Sequence, residues 1–190
     1  MVQPIMFKLS RRADYAIRVM LELCVAGGER LTAQQAAKRG SIPFPFLGKI
    51  LADLVEAGLV VTHAGPRGGL NLAKPAHSVT ILDVVEAVEG RMCLNTCLVR
   101  PGECPRDRIC PAHGFWGRLQ ALVMAEMRQA NLAGLAAEYR ALRQSPRPHG
   151  QIFALYRLIS SPPRASVKTG DEFPIPKGSR SKTWRNNEPK

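Results

Sequence analysis

A chain of 190 residues with 45% hydrophobic and 22% charged side chains has the size and balance of one globular domain with extensions, which excludes a large multidomain enzyme. No apolar run approaches the roughly 18 residues that a membrane span needs, and the N-terminus lacks the basic, apolar and small-residue regions of a signal peptide, so the expected location is the cytoplasm and no membrane partner is expected. A formal charge of +12 points to a polyanionic partner, nucleic acid first, but half of the excess lies in residues 145–190, which carry 9 basic and 3 acidic side chains, while residues 1–90 carry 10 and 8.

The first predicted element spans residues 10–26, where Ala13, Ala16, Ile17, Met20, Leu21 and Cys24 recur at helical spacing. Cys24 on that stripe reads as a small buried hydrophobe. Thr32 is a good N-cap for a short helix that Gly40 ends. A second helix follows after a tight turn, with Phe46, Leu47, Ile50, Leu51, Leu54 and Val55 on its apolar side and Pro43 and Pro45 in the first turn, where proline is tolerated. Two helices so joined predict a helix-turn-helix. The β-prone runs on either side of the turn Gly65-Pro66-Arg67-Gly68-Gly69 then predict a hairpin, which in that position is a wing. Ser78 or Thr80 caps a further helix that runs to about Glu89 and closes at Gly90.

Residues 91–112 have little periodicity and hold four of the five cysteines, Cys93, Cys97, Cys104 and Cys110, within 18 residues. In a reducing compartment such clustering indicates metal or redox chemistry rather than a disulfide frame. A long amphipathic helix is expected from His113, carrying Trp116, Leu119, Leu122, Val123, Glu126, Met127 and Ala130 at three- and four-residue spacing. Asn131 is a possible interruption before the helical pattern of residues 132–142. Its broad apolar stripe suits packing on a second copy. Residues 144–190 turn to Pro, Ser, Gly and Lys apart from the apolar run at residues 152–159, and are expected to be a mostly disordered basic tail.

Five segments in this order, KLSRRADYAIRVMLEL, IPFPFLGKILADLVEAGLV, GPRGGLNLAKP, ILDVVEAVEG and CLVRPGECPRDRICPAHGFW, resemble the family of IscR, NsrR and RirA over about residues 6–143. The resemblance implies a mainly α fold: a winged helix-turn-helix DNA-binding domain with a two-stranded β wing over residues 6–90, a cluster-binding loop over 91–112 and a dimerisation helix over 113–143. It implies a homodimeric transcription factor, usually a repressor, that binds palindromic double-stranded DNA operators and is not an enzyme. Several such proteins hold a [2Fe-2S] or [4Fe-4S] cluster on three cysteines and a fourth ligand, and sense iron-sulfur status, nitric oxide or redox stress.

Soft thiolates suit such a cluster. Cys104, Cys110 and His113 match the distal family pattern Cys-x5-Cys-x2-His. For the third thiolate Cys97, with six residues between it and Cys104, is nearer the usual spacing than Cys93, which leaves Cys93 as a spare or exchange ligand. The fourth ligand is either His113 or, as in NsrR-like proteins, a carboxylate at Asp14 supplied across the dimer. Each also has a plain reading, His113 as a residue of a helix N-terminus and Asp14 as a solvated first-turn charge. A structural zinc on the same residues and an electron-transfer protein are the competing readings; the zinc reading lacks the usual Cys-x2-Cys knuckle, and the second lacks a further cluster motif or dinucleotide fingerprint.

For DNA, Pro45, Phe46 and Lys49 occupy the recognition-helix positions that meet base edges, Phe46 against a thymine methyl and Lys49 against a guanine edge or a phosphate. Phe46 fits a core position equally well. Arg67 in the wing takes the place of an arginine that IscR-like wings carry where this chain has Ala64, and it suits a narrow minor groove. Arg11, Arg12 and Lys38 are candidate phosphate contacts.

Overall fold

A computed structural model describes residues 9–148 apart from Pro101 and Asp107. Helix α1 (Arg11–Val25) begins at Ser10, whose hydroxyl accepts from the backbone N–H groups of Arg12 and Ala13. Helix α2 (Ala33–Arg39) opens with a capping box, in which Thr32 and Gln35 satisfy each other's backbone N–H groups. Helix α3 (Phe44–Glu56) follows a turn in which Ser41 takes φ 52°, a left-handed conformation unusual for a residue with a side chain. Strands β1 (Val60–His63) and β2 (Gly69–Leu72) pair antiparallel with Val60 opposite Leu72 and His63 opposite Gly69. Leu31, just before the α2 cap, pairs its backbone with Leu70 and so ties the hairpin to the helix-turn-helix.

Thr80, rather than Ser78, caps helix α4 (Ile81–Glu89), again in a capping box, here with Asp83. After the cysteine segment come α5 (Pro111–Gln129) and α6 (Leu132–Gln144). The helix expected over residues 113–143 is thus two helices. Asn131 divides them because its side chain accepts the Gly134 N–H as the cap of α6. The chain at the break is held by backbone bonds from Ile81 N–H to Ala130 O and from Leu132 N–H to Val79 O.

The core lies where α1 meets α3, α4 and α6. Met20, Val19, Leu31, Leu47, Ile50, Leu54, Val84 and Leu132 are fully buried there. Helix α6 is fixed to α1 by Leu132 and Ala136, by the Arg140 side chain donating to Cys24 O at 3.1 Å and by the Tyr139 hydroxyl donating to Glu22 Oε1 at 2.7 Å. Helix α5, by contrast, buries none of its 19 residues fully. The tail expected to be disordered lies, beyond residue 148, outside the described residues. No helix among the described residues is long and apolar enough to cross a membrane.

Candidate nucleic-acid interface and cysteine segment

The apolar side of α3 is narrower than the sequence pattern suggested. Leu47, Ile50 and Leu54 are buried, whereas Phe46 is 59% exposed and Val55 is also exposed. Phe46 sits one residue before the buried Leu47, about 100° round the helix, and so projects off the core face. Its ring lies 6.0 Å from that of Tyr15 on α1, a tilted aromatic contact that steadies it without covering it. The core reading of Phe46 is therefore set aside.

Phe44, at 55% exposure, stands on the same open end, together with Pro45 and Lys49. The sequence reading missed Phe44; the repeated Pro-Phe of Pro43 to Phe46 was its signal. The first turn of α3 has neither a side-chain cap nor an acidic residue. Its positive end is left for an anion or a groove edge. Lys38 and Arg39 in the last turn of α2 are exposed alongside, and so is Arg11 at the start of α1.

Arg67 is exposed at the wing turn, and the Arg30 guanidinium donates to its carbonyl at 3.2 Å, bracing the tip. Gly69, expected in the turn, belongs to β2. Arg12 is different from the other cationic candidates. Its guanidinium is half-buried and bonded to Asp53 of α3, so it joins two helices.

The cysteine segment leaves α4 at Gly90 (φ 81°). Its first part is fastened on both sides: Met92 N–H donates to Glu86 Oε1 of α4 at 3.1 Å, and Leu94 N–H donates to Gln120 Oε1 of α5 at 3.0 Å. Between α4, residues 90–94 and the Leu119, Val123 and Met127 side of α5 lies an open apolar groove of about 610 Å³. Cys93 turns its thiol to Asn95 O at 2.8 Å, and Cys97 sits in a single 3-10 turn, Thr96–Leu98.

Cys104 lies in irregular chain. Cys110 is the cap residue of α5, which starts two residues earlier than expected, so Cys110 and His113 share its first turn and the His113 N–H donates to Cys110 O at 3.2 Å. The Nδ1 of His113 is shielded from solvent. All four cysteines of the segment are half-buried and no disulfide joins the cysteines. Among the described residues no three His, Cys, Asp or Glu side chains converge as metal ligands. Asp14, on α1, is exposed and pairs with Arg18 at 2.8 Å. The donor chemistry of four thiols and an imidazole fits an iron-sulfur cluster, while no three of these side chains are gathered as folded.

Cys24 belongs to the other class of cysteine. It is buried in α1 against Leu132 O, and burial pushes its thiol pKa up.

The profile of the Rrf2 family, described as "Iron-dependent Transcriptional regulator", matches residues 9–138. The chain is 29% identical over 157 residues to the HTH-type transcriptional regulator IscR of Cereibacter sphaeroides, covering 80% of this chain and 97% of that protein. It is 39% identical over 106 residues to the protein aau3 of Rhizobium meliloti, covering 54% of this chain and 68% of that one. Among solved structures, CymR, the global cysteine regulator of B. subtilis, superposes with a TM-score of 0.58 at 25% identity, over 70% of this chain and 98% of that one.

Proposed function

Since this chain belongs to the Rrf2 family of transcriptional regulators and carries that family's winged-helix DNA-binding fold, we propose that it is a cytoplasmic homodimeric repressor whose operator affinity is set by an iron-sulfur cluster held in the cysteine segment. Cys97, Cys104 and Cys110 are the thiolate ligands, with His113 or Asp14 as the fourth and Cys93 as a spare. When bound, the cluster supplies a core that reacts with nitric oxide and oxidants and is lost when iron is scarce; a [2Fe-2S] and a [4Fe-4S] form both suit this ligand set.

The observation that carries the reading is a short polar chain from the segment to the recognition helix. Glu89, the last residue of α4 and the one before Gly90, bonds the hydroxyl of Ser10, which is the cap of α1. Two residues on, Arg12 bonds Asp53 in the middle of α3. Residues 91–110, gathered by their thiolates, hold the end of α4 in one place; released, they let Glu89 and with it the start of α1 shift. Arg12 passes that shift to α3, which presents Phe44, Pro45, Phe46 and Lys49 to the major groove while Arg67 meets the minor groove and Arg11 and Lys38 meet phosphates.

Protein purified without oxygen is expected to be coloured and to contain iron and sulfide. Cys97→Ala, Cys104→Ala and Cys110→Ala are each expected to be colourless, and Cys93→Ala is expected to keep its cluster. A full cluster in Cys104→Ala would overturn the ligand assignment, and a colourless wild-type protein containing zinc would overturn the cofactor.

A further inference from the structure

A second cavity, of about 270 Å³, lies away from the cysteine segment, where α1, the turn between α2 and α3 and the end of α6 meet. Its walls are Arg18 and Glu22 of α1, Arg39, Gly40 and Ser41 of the turn, and Tyr139 of α6. Glu22 is 1% exposed, the one buried charged residue among the described residues. Its Oε1 accepts the Tyr139 hydroxyl, but its Oε2 is buried without a hydrogen bond, and the nearest cation, Arg143 Nη1, stands 3.6 Å away.

A buried carboxylate oxygen in that state is costly, and a donor entering the cavity relieves the cost. Opposite it are two cations of different standing. Arg18 is already engaged, with Asp14 at 2.8 Å and Gly40 O at 3.5 Å, while Arg39 is exposed and makes no ion pair among the described residues. One cavity thus offers a buried acceptor in need of a proton donor and a guanidinium fork in need of an anion. Its volume equals about nine waters at about 30 Å³ each, room enough for a free amino acid.

We propose that this cavity binds a small zwitterion of the α-amino acid class, its ammonium on Glu22 and the Tyr139 oxygen and its carboxylate on Arg39, with Ser41 Oγ as a further polar contact. Such a ligand touches Gly40 and Ser41, the left-handed turn that sets the entry of α3, so the site adjoins the DNA-reading helix without sharing a residue with the proposed thiolate set. The inference stands whether or not a cluster is bound.

Calorimetric titration of the full chain with each proteinogenic L-amino acid in turn is the test. At least one is expected to bind at one molecule per chain, and its N-acetyl and carboxamide derivatives, each lacking one charge, are expected to bind about tenfold more weakly, the loss of one charge-assisted hydrogen bond. Glu22→Gln and Arg39→Ala are each expected to weaken binding by a similar factor. Arg39 is exposed, so its variant tests the site even where Glu22→Gln disturbs folding. The proposal is overturned if no amino acid binds, if the N-acetyl derivative binds as tightly as the free amino acid, or if Arg39→Ala binds as tightly as the wild type.

Discussion

Glu22 is a carboxylate held in the core face of α1, its Oε1 bonded by the Tyr139 hydroxyl and its Oε2 near Arg143. It is buried beside Val19 and Leu23, while Ile17 and Leu21 on the same helix are only half-buried. The reason is that α1 is covered from several sides, by α3, α4 and α6, so no single stripe describes it. Tyr139 makes the burial of Glu22 tolerable. Tyr139→Phe removes that hydrogen bond and is expected to cost about 1–3 kcal/mol, read as a lower urea midpoint at unchanged slope. The same bond, together with burial and the nearby charge of Glu22, raises the pKa of the Tyr139 hydroxyl. A raised folded-state value means the stabilisation is complete below the ordinary tyrosine range and is lost as pH rises through the raised value. Wild-type stability should therefore fall more steeply above pH ~10 than that of the Phe variant, measured by urea titration across that range. The candidate ligands were legible as residue types, but the fold does not gather three of them, since the described residues of 91–110 hold only the 3-10 turn Thr96–Leu98 as regular structure to place them.

At the scale of elements, local chemistry carried most of the legible signal. The caps at Thr32 and Thr80, the prolines at the start of α3 and the glycines after α2 and α4 mark boundaries that the fold keeps within a residue or two. What the sequence pattern blurred was α5 and α6, since both halves repeat at helical spacing and only the side-chain cap at Asn131 separates them. That division matters, because it returns α6 to the core and leaves α5 at its edge, touching it through Met127. The wing offers a sharper test of an element. A Cβ on Gly68 would stand 2.3 Å from His63 O and 2.8 Å from Gly65 O, both backbone atoms that cannot swing away. Gly68→Ala is expected to break the turn that places Arg67, lowering operator affinity about as much as removing that arginine, roughly 1–3 kcal/mol, while leaving the recognition helix folded. Gel-shift titration beside circular dichroism separates the two effects. Operator affinity equal to wild type would show that the wing does not reach the DNA.

For the whole molecule the unsettled surface is that of α5. Helices of nineteen residues ordinarily bury a face, and this one buries no residue fully while Leu122 is 69% exposed and Phe115 is also open to solvent. The proposed homodimer covers this stripe with a second copy. Leu122→Asp leaves the single chain's core untouched, so it is expected to yield a folded monomer by sedimentation at micromolar concentration, with operator binding weakened because two linked half-sites become one. In the proposed homodimer the cysteine segment acts through dimer geometry. It joins the end of α4, tied through Ser10 and Arg12 to the recognition helix, to the start of α5, so on that proposal a change in the segment shifts each reading head relative to the shared helix. Two-fold proteins read half-sites about 34 Å apart, and a small change in that spacing is felt at both ends of the operator. Cluster-loaded and cluster-free protein should therefore differ in affinity for one operator at fixed salt by at least about fivefold, near 1 kcal/mol of coupling. Arg12→Ala, which cuts the bond to Asp53, should shrink that ratio while preserving the cluster spectrum. Equal affinities for the two wild-type forms would make the segment a structural brace, and an undiminished ratio in Arg12→Ala would route the coupling through the dimer helix alone.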